Sequence, residues 1–193
     1  MSVTLARLIK EATVLVNQSG LDGLSMTDLA RALNVRTPTL YSHVSGLGDV
    51  KRLLGLHGLA ELNMEAMRAT IGRSGPDSVR AMLNSYRRFA EKNPGLYAAT
   101  IPTPARPDRD WRIAVDTLQS TVLAALQHYD LKGDEVIHTI RGMRSLVHGF
   151  VSLEAASALK HPVGRDASFN WLVEGFLSML EQRSVNAKKV ARR

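Results

Sequence analysis

The sequence predicts an all-α chain of about nine helices. Apolar residues recur at spacings of three and four from one end to the other, with no period-two alternation to mark a strand. Gly, Pro and Asn interrupt these runs at intervals that suit helix lengths. Aromatic residues make up only 5% of the chain against 45% hydrophobic, which favours aliphatic helix packing. At 193 residues there is room for a small domain joined to a larger one.

The first helix is expected over about 4–19, where Leu5, Leu8, Ile9, Ala12, Leu15 and Val16 form one stripe and Gly20 ends it. A short helix pair follows within residues 24–44. Ser25 is an N-cap with Asp28 three residues on, a capping box, and Leu24 and Leu29 are spaced as a hydrophobic staple. Leu29, Ala30 and Leu33 give this helix a side to bury, and Asn34 tolerates the left-handed conformation that ends it. The next helix is expected to open with Thr37 as cap and Pro38 at the first helical position, turning Leu40 and Val44 inward.

That arrangement leaves Thr39, Ser42 and His43 facing outward, with Arg36 and Thr37 at the helix start and Tyr41 on its flank. Eight helical residues would span roughly 12 Å at ~1.5 Å per residue, close to the ~12 Å width of a DNA major groove. Hydroxyls, an imidazole and a phenol can reach base edges or phosphates. An ordinary helix hairpin with a polar outer face fits the same caps and spacing.

Asp49 begins a long helix to about Ile71. Gly55 and Gly58 lie inside it at a cost of roughly 1 kcal/mol each against Ala, so close packing or a bend is expected there. Residues 77–92 are amphipathic through Val79, Met82, Leu83, Tyr86, Phe89 and Ala90, and Asn93-Pro94-Gly95 ends them. A short helical piece over 96–100 and a Pro-rich connector over 101–107 precede helices at about 108–129, 134–159 and 168–183, the last capped by Ser168. Three regions result: 1–48, 49–183, and an unstructured basic tail over 184–193.

The net charge of +7 is compatible with a polyanionic partner, although its distribution weakens the point. Residues 1–52 hold six basic and four acidic side chains, whereas Lys188, Lys189, Arg192 and Arg193 alone supply four positive charges. The absence of cysteine excludes disulfides, thiolate chemistry and cysteine-held zinc, and suits a reducing cytoplasm. No secretory signal pattern and no apolar run near about 18 residues is found, so a soluble cytoplasmic protein with no membrane partner is expected. His57 and Glu61 sit four apart without a third ligand in view, and no phosphate loop or hydrolase motif occurs. No metal, cofactor, catalytic residue or enzymatic activity is expected.

Met26-Thr-Asp-Leu-Ala-Arg-Ala-Leu-Asn-Val and the following Thr37-Pro-Thr-Leu-Tyr-Ser-His-Val resemble the DNA-binding end of the tetracycline-repressor-like (TetR) family of bacterial regulators, over about residues 4–60. In that family the Leu-Tyr-x-His string forms the recognition helix. Leu47 stands where the family usually carries a phosphate-binding Lys, with Lys51 or Arg52 as the substitute one turn later. The resemblance implies that Arg36, Thr37, Thr39 and His43 face base edges and that Thr27, Tyr41 and Lys51 contact phosphates, with Leu40 counted in the same DNA-binding set. Leu146–Glu154 is similar to a branch of the family with a Trp-x-x-x-His-Gly motif, although Arg144 occupies the aromatic position here.

The resemblance further implies a homodimer through the helices at about 134–159 and 168–183. Its operator would be a double-stranded inverted repeat, and repression would end when a small, largely apolar effector binds. Met64, Met67, Met82, Tyr86, Phe89, Trp111 and Met143 have the chemistry of a flexible apolar cavity, and Asn84, Arg144 and His148 could orient a guest. A ligand-independent DNA-binding regulator, or more distantly a helical small-molecule carrier or enzyme, fits the same composition.

Overall fold

The computed structural model describes residues 3–191, with side chains described as far as Ser184. Nine α-helices and one 3-10 turn make up the described residues, with no strand among them. The helices are α1 (Leu5–Ser19), α2 (Met26–Leu33), α3 (Thr37–Leu40), α4 (Leu47–Thr70), α5 (Gly75–Lys92), α6 (Pro94–Ala99), α7 (Arg109–Leu126), α8 (Asp134–Ala155) and α9 (Arg165–Ala191), with the 3-10 turn at Gln127–Tyr129.

The compact units do not follow a cut at residue 48. One comprises the chain to Leu62 together with Lys92–Leu118, and the other comprises Asn63–Glu91 and the chain from Gln119 onward. Helix α4 therefore contributes to both units, as does α7. The C-terminal region differs as well. Helix α9 opens at Arg165 rather than at a Ser168 cap, and it continues through Ala191 where an unstructured tail was expected. The side chains of Lys188 and Lys189, and the whole of Arg192 and Arg193, lie outside the described residues. Helix α8 stops at Ala155, short of 159, followed by Ser157 in a left-handed conformation at φ 52°.

In the first unit Leu8, Ala12 and Val16 of α1 are buried with Leu29 and Leu33 of α2, Leu40, Val44, and Val50 and Leu54 of α4. The two α4 glycines answer to close approach. A Cβ on Gly55 would fall 2.3 Å from the Trp111 ring and 2.7 Å from the Ala99 carbonyl. One on Gly58 would fall 2.9 Å from the Leu96 carbonyl. Helix α6 and the start of α7 thus lie directly against the α4 backbone, which explains why Lys92–Leu118 joins this unit.

The second unit buries Val79, Met82, Leu83 and Phe89 of α5, Met143, Val147 and Phe150 of α8, and Phe169, Val173, Leu177 and Leu180 of α9. Asn63, nearly buried, accepts a hydrogen bond from the Thr121 hydroxyl at 2.7 Å. One polar atom here is unsatisfied. Tyr129 is 2% exposed, its hydroxyl finds no partner among the described residues, and burial pushes the phenol up to about 12. An unmade hydrogen bond of a buried group costs about 1–3 kcal/mol. Tyr129→Phe is accordingly expected to retain full stability or gain up to about 1 kcal/mol in urea unfolding, since the ring packing is kept. A loss beyond about 1 kcal/mol would show that the hydroxyl has a partner after all.

Candidate nucleic-acid interface

The α2–α3 pair is built from its caps. The Ser25 hydroxyl accepts the Asp28 N–H at 3.1 Å and donates to the Asp28 carboxylate at 2.6 Å. The other Asp28 oxygen accepts from Arg31 at 2.6 Å. The Ser25 hydroxyl first, and Arg31 second, hold the Asp28 carboxyl below its usual range, leaving a negative charge in the first turn of α2 where the helix dipole favours it. Both staple residues, Leu24 and Leu29, are buried. Asn34 sits at φ 55°, ψ 49°, and the bonds from Asn34 N–H to Arg31 and from Val35 N–H to Ala30, each 3.0 Å, close a Schellman ending. Arg7 of α1 donates to the Leu33 carbonyl at 3.3 Å, tying the end of α2 to α1.

Helix α3 is shorter than the eight residues expected, with four in α-helical conformation. The Ser42 hydroxyl donates to the Thr39 carbonyl at 2.7 Å, and the His43 N–H turns instead to the Leu40 carbonyl at 2.9 Å. A side chain that takes a backbone acceptor competes with the helix ladder, and the chain continues as tightened turns. Its start also differs. Arg36 occupies the N-cap without a side-chain bond, which puts Thr37 inside the helix rather than at its cap.

Leu40 at 0% exposure and Val44 at 3% fasten this segment to the core. Leu40 is thereby removed from the DNA-binding set, because a side chain without exposed surface cannot touch a groove. Arg36, Thr39, Tyr41, Ser42 and His43 are exposed along the outer edge, and Thr37 is half-buried. The side chains of Arg36, Tyr41 and His43 have no hydrogen-bond or ion-pair partner among the described residues. Thr27 is exposed on the first turn of α2. Lys51 is half-buried and 3.4 Å from Asp22. Arg52 is not a free substitute for the missing lysine. Asp108 grips it through both carboxylate oxygens, and Asp110 lies 2.8 Å away. A cleft of about 340 Å³ lies in the same unit along α1 and α2, and none of the expected effector residues lines it.

The expected effector residues are divided between the units. Trp111 belongs to the first unit, its ring against Gly55, and the other nine belong to the second. Met82, Phe89 and Met143 are buried, whereas Met64, Met67 and Arg144 are exposed. Asn84 and Tyr86 are half-buried on α5, and the Asn84 amide donates to the Arg80 carbonyl of its own helix at 2.9 Å. His148 is half-buried on α8 and has an interaction partner.

The charged centre of the second unit is Arg87, which the motif search passes over. Its side chain is 9% exposed and carries a two-point bond to Glu154 at 2.7 and 3.0 Å, with Glu91 at 3.1 Å and Asp166 at 2.9 Å. Its guanidinium carbon lies 5.1 Å from the Phe150 ring centroid and 4.9 Å from that of Phe169. The signal is present in the sequence, since Arg87 falls four residues after Leu83 and three before Ala90, on the apolar face of α5. Among the described residues no three His, Asp or Glu side chains form a metal-binding group.

A capped helix-turn-helix with a free polar edge, set in an all-helical chain, defines a class: the helix-turn-helix transcriptional regulators. Residues 79–176 match the family model described as tetracyclin repressor-like, C-terminal domain, and the chain belongs to the TetR family of these regulators. It is 29% identical over 181 residues to the uncharacterised HTH-type transcriptional regulator YobS of Bacillus subtilis, covering 93% of this chain and 94% of that protein. An uncharacterised HTH-type transcriptional regulator of Mycobacterium tuberculosis is 28% identical over 180 residues, covering 93% and 82%. These relatives are regulators, not enzymes. Among solved structures, a TetR variant of Acinetobacter baumannii in complex with minocycline superposes with a TM-score of 0.73 at 22% identity, over 93% of this chain and 97% of that one. Apo ActR of Streptomyces coelicolor gives 0.71 at 17% identity, over 97% and 99%. At such identities the likeness is one of fold.

The Arg52–Asp108 pair has a pH signature. The Arg52 guanidinium, followed by the Trp111 backbone N–H, holds the Asp108 carboxyl at about 2. The folded value lies below the unfolded one, so the stabilisation is present above the unfolded value and fades as pH falls from about 4 to about 2. The stability difference between wild type and Asp108→Asn should therefore be constant above about pH 5 and shrink below about pH 4 in urea unfolding. A difference that does not change with pH would mean that the carboxylate charge contributes nothing.

Proposed function

We propose that the protein is a cytoplasmic repressor that binds an inverted-repeat operator as a homodimer and leaves it when a small, largely apolar molecule binds its second unit. The observation that carries this reading is the edge of unpaired side chains, Arg36, Tyr41 and His43, held out by the buried Leu40 and Val44. Arg36, Thr37, Thr39 and His43 are the base-edge contacts. Thr27, Tyr41 and Lys51 are the phosphate contacts, which position the protein without reading sequence. Lys51 gives up little in leaving Asp22, because an ion pair to so exposed a carboxylate is weak.

Dimerisation is assigned to α8 and α9. Ile137, Leu153, Leu172 and Met179 hold apolar surface outward there, and Trp171 is 76% exposed. A two-fold dimer carries two readers, and these suit half-sites on one face of the duplex. The effector role rests on family membership and on the minocycline complex of the Acinetobacter relative. Met82, Phe89, Met143 and His148 are the contacts retained for it, and the His148-Gly149 pair, with Arg144 in place of the motif's aromatic, is the feature that supports the His-Gly branch. A ligand that favours one conformation of the second unit acts through α4, which belongs to both units. Coupling of about 1–3 kcal/mol would change operator affinity about 5–150-fold.

Thr39→Ala and His43→Ala should each weaken binding to the best duplex recovered from a random pool by about 1–3 kcal/mol, with unchanged thermal unfolding. Unchanged affinity in both variants would remove α3 from the role of reader.

A further inference from the structure

Helix α6 has an unusual start. Its N-cap residue, Asn93, makes no side-chain capping bond, and Pro94 has no N–H to satisfy. The next two backbone donors, Gly95 N–H and Leu96 N–H, both point to the Oδ1 of Asn17 on α1, at 3.0 Å each. The same Asn17 amide donates to Asn93 Oδ1 at 3.4 Å. Gly95 is pressed so closely on α1 that a Cβ there would fall 1.9 Å from the Val16 carbonyl oxygen. On its other side α6 meets α4 at Gly55 and Gly58 through the Ala99 and Leu96 carbonyls. Glycine therefore allows backbone contact with both α1 and α4, and the α1 contact is also fixed by hydrogen bonds from the Asn17 side chain.

We propose that Asn17 is a positioning residue of the DNA reader: by capping α6 from α1 it makes α6 and the helix-turn-helix one body, so that each responds to what the other binds. This rests on the reading of α2–α3 as the DNA-binding pair. The route from reader to α6 is short. Arg7 of α1 holds the Leu33 carbonyl at the end of α2, Leu8, Ala12 and Val16 are buried in the same unit, and Asn17 follows on the same helix. The chain enters this unit from the other one at Lys92, so α6 is the first helix after that crossing. A cap supplied from another helix links the two only while it is made.

The test is hydrogen exchange along residues 97–101, whose amides do not bond Asn17, with and without the best duplex recovered from a random pool. In the wild type the duplex should slow exchange there. In Asn17→Ala that response should disappear while duplex affinity stays within about threefold of wild type. Asn17→Asp should restore it, because a carboxylate accepts the same two N–H groups at a helix N-terminus and the Asn93 amide can turn to donate to it. If Asn17→Ala keeps the full response, or if the wild type binds the duplex with no response at 97–101, the coupling role is overturned and the functional reading stands. If the wild type selects no duplex at all, the functional reading falls and takes this inference with it.

Discussion

The burial of Leu40 and Val44 is the constraint on which the reading edge depends. Four residues in α-helical conformation cannot hold themselves in water, because helix nucleation is unfavourable and α3 has too few bonds to repay it. Complete burial of one leucine side chain contributes about 1.5–3 kcal/mol, more than a single helical turn can supply. The segment from Arg36 to Val44 is therefore shaped from outside, by the Schellman ending of α2 on one side and two buried anchors within it. Its polar side chains are left over from that packing, which is why they are exposed and unpaired together.

Charge is organised differently from what a net value of +7 suggests. Arg52, Arg80 and Arg87 are each held by two or more carboxylates, and in all three the neighbouring acids stabilise the guanidinium charge. Arg87 is the extreme case, ringed by Glu154, Glu91 and Asp166 beneath two aromatic rings. Removing one partner of such a buried pair costs about 3–5 kcal/mol, whereas replacing the whole set by apolar groups can be neutral. The cluster thus argues for a fixed arrangement of α5, α8 and the start of α9 more than for stability. Arg36, on the reading edge, is among the cations that carry no ion pair among the described residues.

Local features were legible in the sequence. Ser25 as a cap, Gly20 and Asn34 as helix ends, and the all-α pattern depend on residues within one turn of each other, and the structure has them where the spacing puts them. Thr37 was misplaced by one residue because Pro38 tolerates either of the first two helical positions. The length of α3 was overestimated because Ser42 bonds backward to Thr39, a choice that apolar periodicity does not register. Features joined across long stretches of chain were not legible. Asn17 meets α6 some 78 residues later, and Trp111 meets Gly55, so a boundary drawn at 48 separated elements that fold together. Arg87 stood in view on an apolar face, but nothing local named Glu154 and Asp166 as its partners.

The central claim is that the edge presented by α3 reads DNA as one half of a two-fold pair. Selection of bound sequences from a random duplex pool at near-physiological salt tests it most directly, since low salt inflates binding that ignores sequence. The account predicts enrichment of an inverted repeat whose half-sites lie about one helical turn, or a whole number of turns, apart. Folded protein that retains duplexes without enriching any sequence would contradict it.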